Sequence, residues 1–209
     1  MHLCLRDHEE LAEFVRDAPA RRPGAAEIEA AVRTLIAAAG DDPLREGVRD
    51  TPARVARAWG EWFAGYDVDP AALLERTFGE AEGYDETVLL RAIPIVSTCE
   101  HHLAPIMGHA HIAYRPDKRV VGISKLSRLA DAFARRLQLQ ERLTNQIART
   151  IDTVLRPRGV AVIVEASHGC MSTRGVNQHG VSMVTQCWLG DYKTDADLRQ
   201  ELMMSVKSC

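Results

Sequence analysis

The sequence predicts an α+β protein: a four-stranded antiparallel sheet with two helices on one face, in the order ββααββ, preceded by an N-terminal helical segment. Three observations lead there. Two β-forming runs, 87–98 and 106–114, come before two helical stripes, and two more, 160–164 and 181–189, come after them. The stripes repeat every three to four residues, while the runs are short, extended and apolar. Turn formers such as Pro116-Asp117 and Pro157-Arg158-Gly159 separate the elements. A sheet with an apolar face has to bury it, and two helices inserted between its strand pairs do so.

The elements follow in order. Residues 1–24 read as a peripheral segment, a short helical pattern and then the linker-like Asp17–Gly24. Ile28, Ala31, Val32, Leu35 and Ile36 repeat at helical spacing up to Gly40. A second helix is expected with Thr51 as N-cap and Pro52 in its first turn. Val55, Ala56, Trp59 and Phe63 line it, Gly65 ends it, and Arg54 and Arg57 lie three apart on another side. Residues 66–86 are turn-rich. After the strands at 87–98 and 106–114, Val120–Ile123 is a short extended piece. Ser124 is expected to cap a helix whose stripe is Leu126, Leu129, Ala130, Phe133 and Leu137. The next helix opens at Glu141 and turns Leu143, Ile147, Ile151, Val154 and Leu155 inward. A polar helix over about 195–206 closes the chain. The expected organisation is a variable segment 1–24, a helical segment 25–86 and a catalytic unit 87–209.

A length of 209 residues fits one large domain with a helical appendage, and 46% hydrophobic with 26% charged residues is ordinary for a globular chain. No uncharged apolar run approaches 18 residues, which argues against a transmembrane helix. The N-terminus is charged too early for a signal peptide. Five irregularly spaced cysteines do not make a secreted disulfide framework, so a cytoplasmic setting is expected. Cys4 and Cys209 read as free terminal thiols and Cys187 as a buried strand residue. A net charge of −3 gives no reason to expect nucleic-acid binding. Between Arg115 and Arg142, however, eight basic residues face three acidic ones, an excess suited to a small polyanion or simply to solvated helix faces.

The chemistry concentrates in Cys99-Glu100-His101-His102 and, about seventy residues on, His168-Gly169-Cys170. Cys99, His102 and Cys170 can supply a zinc ion with three ligands. Structural zinc normally takes four protein ligands, whereas catalytic zinc takes three and leaves one position open. His101 and His168 stand beside these ligands without being needed as ligands, as proton carriers of a hydrolytic centre would. His168 and Cys170, two apart, would share a face if both lay on one extended strand. Buried packing is the competing reading for Cys170. A zinc-stabilised interaction module is another; it would need His101 or His168 as a fourth ligand.

Two further clusters point to an anionic ligand. Ser124-Lys125-Leu126-Ser127-Arg128 places a hydroxyl and two converging cations on a helix's first turn, where free N–H groups and the dipole favour anions. Arg174 follows Cys170 closely enough to reach a distal phosphate. Glu141 at its helix start either answers the dipole or accepts paired N–H bonds from a guanine edge.

Six motifs in register over roughly residues 27 to 190 resemble GTP cyclohydrolase I: Asp42–Gly47, Thr51–Ala56, Cys99–Leu103, Gly122–Leu126, Gln138–Thr144 and His168–Gly175. The resemblance implies a tunnelling fold and a homodecamer of two stacked pentamers, with active sites at subunit interfaces. It implies conversion of GTP and water to 7,8-dihydroneopterin triphosphate and formate, at the entry to folate or pteridine biosynthesis. By motif position Cys99, His102 and Cys170 would bind Zn2+, and His101 and His168 would transfer protons. Ser124, Lys125, Arg128 and Arg174 would hold the triphosphate, with Arg54 and Arg57 as weaker candidates, and Glu141 would read guanine. The chemistry is consistent: water must add at C8 of the purine, protonation at N7 makes C8 electrophilic, and imidazole exchanges protons near neutral pH.

Overall fold

The computed structural model describes residues 21–75, 77–78 and 84–207. Cys4, Cys209 and residues 1–20 of the N-terminal segment lie outside the described residues. In chain order the elements are α1 (Ala25–Ala38), α2 (Thr51–Trp62), a 3-10 turn (Ala64–Asp67), β1 (Thr77–Phe78), β2 (Val88–Cys99), β3 (Pro105–Arg115) and β4 (Val120–Val121). They continue with α3 (Ile123–Ala134), β5 (Leu137–Gln138), α4 (Gln140–Leu155), β6 (Gly159–His168), α5 (Gly169–Ser172), β7 (Met183–Gly190), α6 (Asp191–Thr194) and α7 (Ala196–Lys207).

The four long strands and the two helices between them stand in the expected order, but the layout is richer than ββααββ. The main sheet has five strands in the order β5-β2-β3-β6-β7, because Leu137 and Gln138 pair parallel with Thr98 and Cys99. A separate two-stranded piece joins β1 to β4. Leu137 therefore belongs to a strand rather than to the α3 stripe. The helix stops at Ala134, where the buried Arg136 donates from Nε to the carbonyls of Ala132 and Gly65 and so satisfies the helix end. Two N-caps also shift. Gly122, not Ser124, precedes α3, and Asp50, not Thr51, precedes α2; neither makes a side-chain capping bond. Ser124 stands inside the first turn of α3 instead.

The core lies between the sheet and α3 and α4. Leu126, Leu129 and Phe133 from α3, with Leu143, Ile147 and Ile151 from α4, meet Ile93, Ile95, Ile112, Val162 and Val164 from the strands. Each of these is almost fully buried, which is worth about 1.5–3 kcal/mol per side chain. The other sheet face is covered at one end by α6 and α7, through Tyr192 and Leu202 on Ala113 and Ala161. Cys187 is buried in β7, as its pattern predicts. The stripe of α1 behaves differently: none of its residues is buried in the single chain, and Leu35 remains 68% exposed.

One irregularity of β2 carries a pH prediction. The ladder to β3 slips between Leu90 and Ile93, Ala92 takes φ 53°, and its N–H donates to His111 Nδ1 at 3.3 Å. Only a neutral imidazole can accept that bond. Burial pushes the His111 pKa down, as do the charges of His109 and Arg91, against the pull of Glu165. The folded state thus disfavours protonation: this contribution to stability is present above the ordinary histidine value and is lost as pH falls through the lowered one. Taking the protein from about pH 7.5 to about pH 5 should lower its urea midpoint, and less so for His111→Gln, whose amide oxygen accepts without titrating. Equal losses in the two proteins would show that other groups carry the acid sensitivity.

Candidate metal centre and substrate site

The centre forms where β2 and β6, on either side of β3, finish at the same end of the sheet. β2 delivers Cys99, buried, into a tight turn closed by Cys99 N–H to Ala104 O at 2.8 Å and Leu103 N–H to Cys99 O at 2.9 Å. Leu103 takes φ 54°, a left-handed conformation uncommon for a residue with a Cβ. The turn exposes His101 and His102, whose rings meet edge-on with centroids 6.2 Å apart.

Cys170 reaches the same place by a route the sequence reading did not foresee. It is not on the strand with His168: β6 ends at His168, and Cys170 lies in the one-turn helix α5. The reason is Pro105. The β3–β6 ladder runs from Arg115↔Gly159 to Ile106↔His168, and the next donor toward β6 would be the N–H that Pro105 lacks. A Cβ on Gly169 would also meet the Pro105 ring at 2.9 Å, so only glycine turns there without displacing it. Freed from the ladder, the chain winds once, and Thr173 N–H closes the turn on Gly169 O at 2.9 Å.

The result is a three-donor cluster: the ligand atoms of Cys99, His102 and Cys170 lie within 4.8 Å of one another, with Cys99 Sγ 4.0 Å from His102 Nδ1. Two thiols and an imidazole are ordinary zinc ligands, and three is the number that leaves a position open, so the donor set fits that metal. Burial and the neighbouring Cys99 thiol raise the Cys170 pKa, while Arg174 opposes the shift. Arg174 Nη1 also stands 3.3 Å from His102 Nε2.

His168 is held beside the cluster. Its Nε2 lies 2.8 Å from Oε1 of Gln140, a residue 1% exposed. Burial lowers the His168 pKa, and the nearby Glu141 raises it. Glu141 itself is exposed in the first turn of α4. Arg142, next along, bonds Glu100 through Nη2 and Gln138 Oε1 through Nε at 3.2 Å, and Glu100 N–H donates to Gln138 O at 3.1 Å. The turn carrying both histidines is thereby tied to the helix carrying Glu141. Sequence reasoning missed Gln140 and this Arg142–Glu100 tie, because neither residue type at that spacing announces a contact across the fold.

The remaining candidates lie elsewhere. Ser124, Lys125 and Arg128 open α3, which begins beside Tyr114 (Val121 N–H to Tyr114 Oη, 3.2 Å) and ends next to β5 and the Cys99 end of β2. At 1.5 Å per residue, Ser124 stands about 15 Å along the axis from that end. Arg54 and Arg57 are exposed on α2, with Arg54 3.8 Å from Asp50. Much of the basic excess in 115–142 is structural: Arg115 pairs with Asp191, Arg119 takes the Val154 carbonyl, Arg135 pairs with Asp131, and Arg136 and Arg142 act as above.

Fold and site together define a class: an α+β protein carrying a Cys–His–Cys group of three donors that could hold a metal ion. The family model for GTP cyclohydrolase I matches residues 28–207. GTP cyclohydrolase 1 of Maricaulis maris is 53% identical over 182 residues, 87% of this chain and 89% of that one. The proteins of the same name from Hyphomonas neptunium and Brucella abortus are 55% and 50% identical, over 88% and 90% of this chain and 89% and 88% of theirs. Among solved structures, an archaeosine synthase QueF-Like in the apo form aligns with TM-score 0.42 at 19% identity, over 50% of this chain and 93% of that one. The chain belongs to the GTP cyclohydrolase I family and is a hydrolase. Among the described residues, no helix is long and apolar enough to cross a membrane.

Proposed function

We propose that this protein is a zinc-dependent, cytoplasmic GTP cyclohydrolase I of the tunnelling fold, converting GTP and water to 7,8-dihydroneopterin triphosphate and formate at the start of tetrahydrofolate or pteridine synthesis. The observation that carries the reading is the three-donor cluster of Cys99, His102 and Cys170 with His168 fixed beside it. Those three residues would hold Zn2+, whose Lewis acidity brings a water's pKa toward neutrality. Within this reading, His168 gives the purine N7 the proton that makes C8 electrophilic, and His101 on the exposed turn serves the later proton transfers. Glu141 accepts N–H bonds from the guanine edge, and the Arg142–Glu100 tie keeps it at a set distance from the histidines. Ser124, Lys125, Arg128 and Arg174 hold the triphosphate, with Arg54 and Arg57 in reserve. Residues 1–24 stand outside this machinery, 25–86 form a helical segment, and 87–209 carry the chemistry.

The same reading includes a homodecamer of two pentamers. Two observations support it. One chain opens α3, with its phosphate-binding candidates, toward the other end of the sheet from the metal cluster, as expected of a site completed by a second copy. The apolar faces of α1 and α2, with Leu35 and Trp62 68% and 50% exposed, are left for a partner to cover.

Formate and a pterin that fluoresces after oxidation should appear when zinc-loaded protein is given GTP; formate-free hydrolysis to another product would overturn the proposal. Lys125→Ala or Arg128→Ala should weaken GTP binding more than guanosine binding, since a charge-assisted phosphate contact is worth about 1.5–3 kcal/mol. Equal weakening of both ligands would assign these cations to folding instead.

A further inference from the structure

We propose that Gln140 is a positioning residue for His168, holding its imidazole with the proton on Nε2 and leaving the lone pair on Nδ1. This rests on the reading of His168 as a proton-transfer group. The argument begins with the Gln140 amide, whose nitrogen and oxygen are distinguished by their partners. Nε2 lies 3.0 Å from Val164 O and 2.8 Å from Met183 O. Backbone carbonyls only accept, so both positions demand a donor. A flipped amide would set its oxygen against two carbonyl oxygens in a site 1% exposed, losing two buried hydrogen bonds at once.

The neighbouring hydroxyls agree with the same orientation. Thr144 Oγ1 donates to Gln140 O at 2.8 Å, which uses its one hydrogen. The 2.6 Å contact between Thr185 and Thr144 must then be donated by Thr185, whose oxygen is left to accept from Gln140 Nε2 at 3.2 Å. The Gln140 NH2 has two hydrogens for three acceptors, so one hydrogen is shared between a carbonyl and the longer contact to Thr185 Oγ1. The amide oxygen therefore faces His168, and an amide oxygen can only accept, so His168 Nε2 carries a hydrogen. A neutral imidazole has one N–H, which leaves Nδ1 as the nitrogen without a hydrogen. Strands β6 and β7, through the Val164 and Met183 carbonyls and the amide they hold, thus set the orientation of the His168 ring.

The test reads tautomer and turnover separately. In zinc-loaded, 15N-histidine-labelled protein, the signal assigned to His168 by its loss in His168→Asn should show a protonated Nε2 and a bare Nδ1. A protonated Nδ1 in the neutral ring would overturn the proposal, and this measurement needs no change at Gln140. Gln140→Met should lower kcat with GTP by about 10²-fold, the cost of misplacing a catalytic group by about 1 Å, with KM little changed. In a His168→Ala background the same substitution should cost nothing further in kcat; an additional loss would mean that Gln140 acts independently of His168. Normal turnover in Gln140→Met, with His168→Ala inactive, would sink the positioning role alone. Wild-type turnover in His168→Ala would instead sink the reading of His168 on which the proposal stands.

Discussion

His168→Ala is expected to keep its zinc and lose turnover by about 10²–10⁴-fold, whereas His102→Ala is expected to lose the metal itself. The two histidines stand at the same centre and differ in what surrounds them. His102 Nδ1 lies 4.0 Å from Cys99 Sγ within the three-donor cluster, and a three-ligand site cannot easily spare one. His168 has its Nε2 committed to Gln140 and is not a member of that cluster. Zinc content and GTP turnover, measured on both variants, decide the matter. A metal-free His168→Ala beside a metallated, active His102→Ala would reverse the assignment.

The second large effect is structural, and it uses one substitution twice. Gly108→Ala places a Cβ 2.0 Å from Glu165 O and 2.5 Å from Ala166 Cα, within the β3–β6 ladder near its Ile106 end. Neither contact is with a flexible side-chain end, so two central strands must part. A loss of about 3 kcal/mol or more is expected, enough to unfold much of the protein at moderate urea. Gly60→Ala, in α2, meets nothing within 4 Å and should stabilise by about 0.5–1 kcal/mol through helix propensity. Urea midpoints for the two variants should therefore move in opposite directions. An unchanged or raised midpoint for Gly108→Ala would refute its steric account.

The parts of the fold that were legible in the sequence are those that periodicity encodes. Leu143, Ile147, Ile151, Val154 and Leu155 read as one inward stripe, and all five are buried. The long strands were found to within one or two residues at most ends. What escaped was set by contacts distant in sequence. Leu137 looked like one more helical position until Arg136 ended the helix and β2 offered it a strand partner. The expected α1 stripe is genuine, but within one chain it packs chiefly against α2 and none of its residues is buried. At the centre, spacing brought the three metal-ligand candidates together correctly while misjudging how: Cys170 arrives on a helical turn. Gln140 was invisible because a glutamine before a glutamate at a helix start carries no signal of its own. Its meaning lies in the carbonyls of Val164 and Met183, which no local pattern reveals.

The proline that stops the β3–β6 ladder also bears on how such a centre could be moved. Transplanting Cys99, His102 and Cys170 onto another sheet as three side chains would leave the third on a continuing strand, since the sheet would go on pairing past the point where Pro105 halts it here. What has to travel is an ending: a donor withheld from one strand, a glycine in the next that tolerates its ring, and a single helical turn. A graft into a scaffold protein that carried the cysteines and histidine without Pro105 and Gly169 should bind zinc far more weakly than one that carried all five residues. Portability in this centre belongs to the backbone's interruption, and the ligands follow from it.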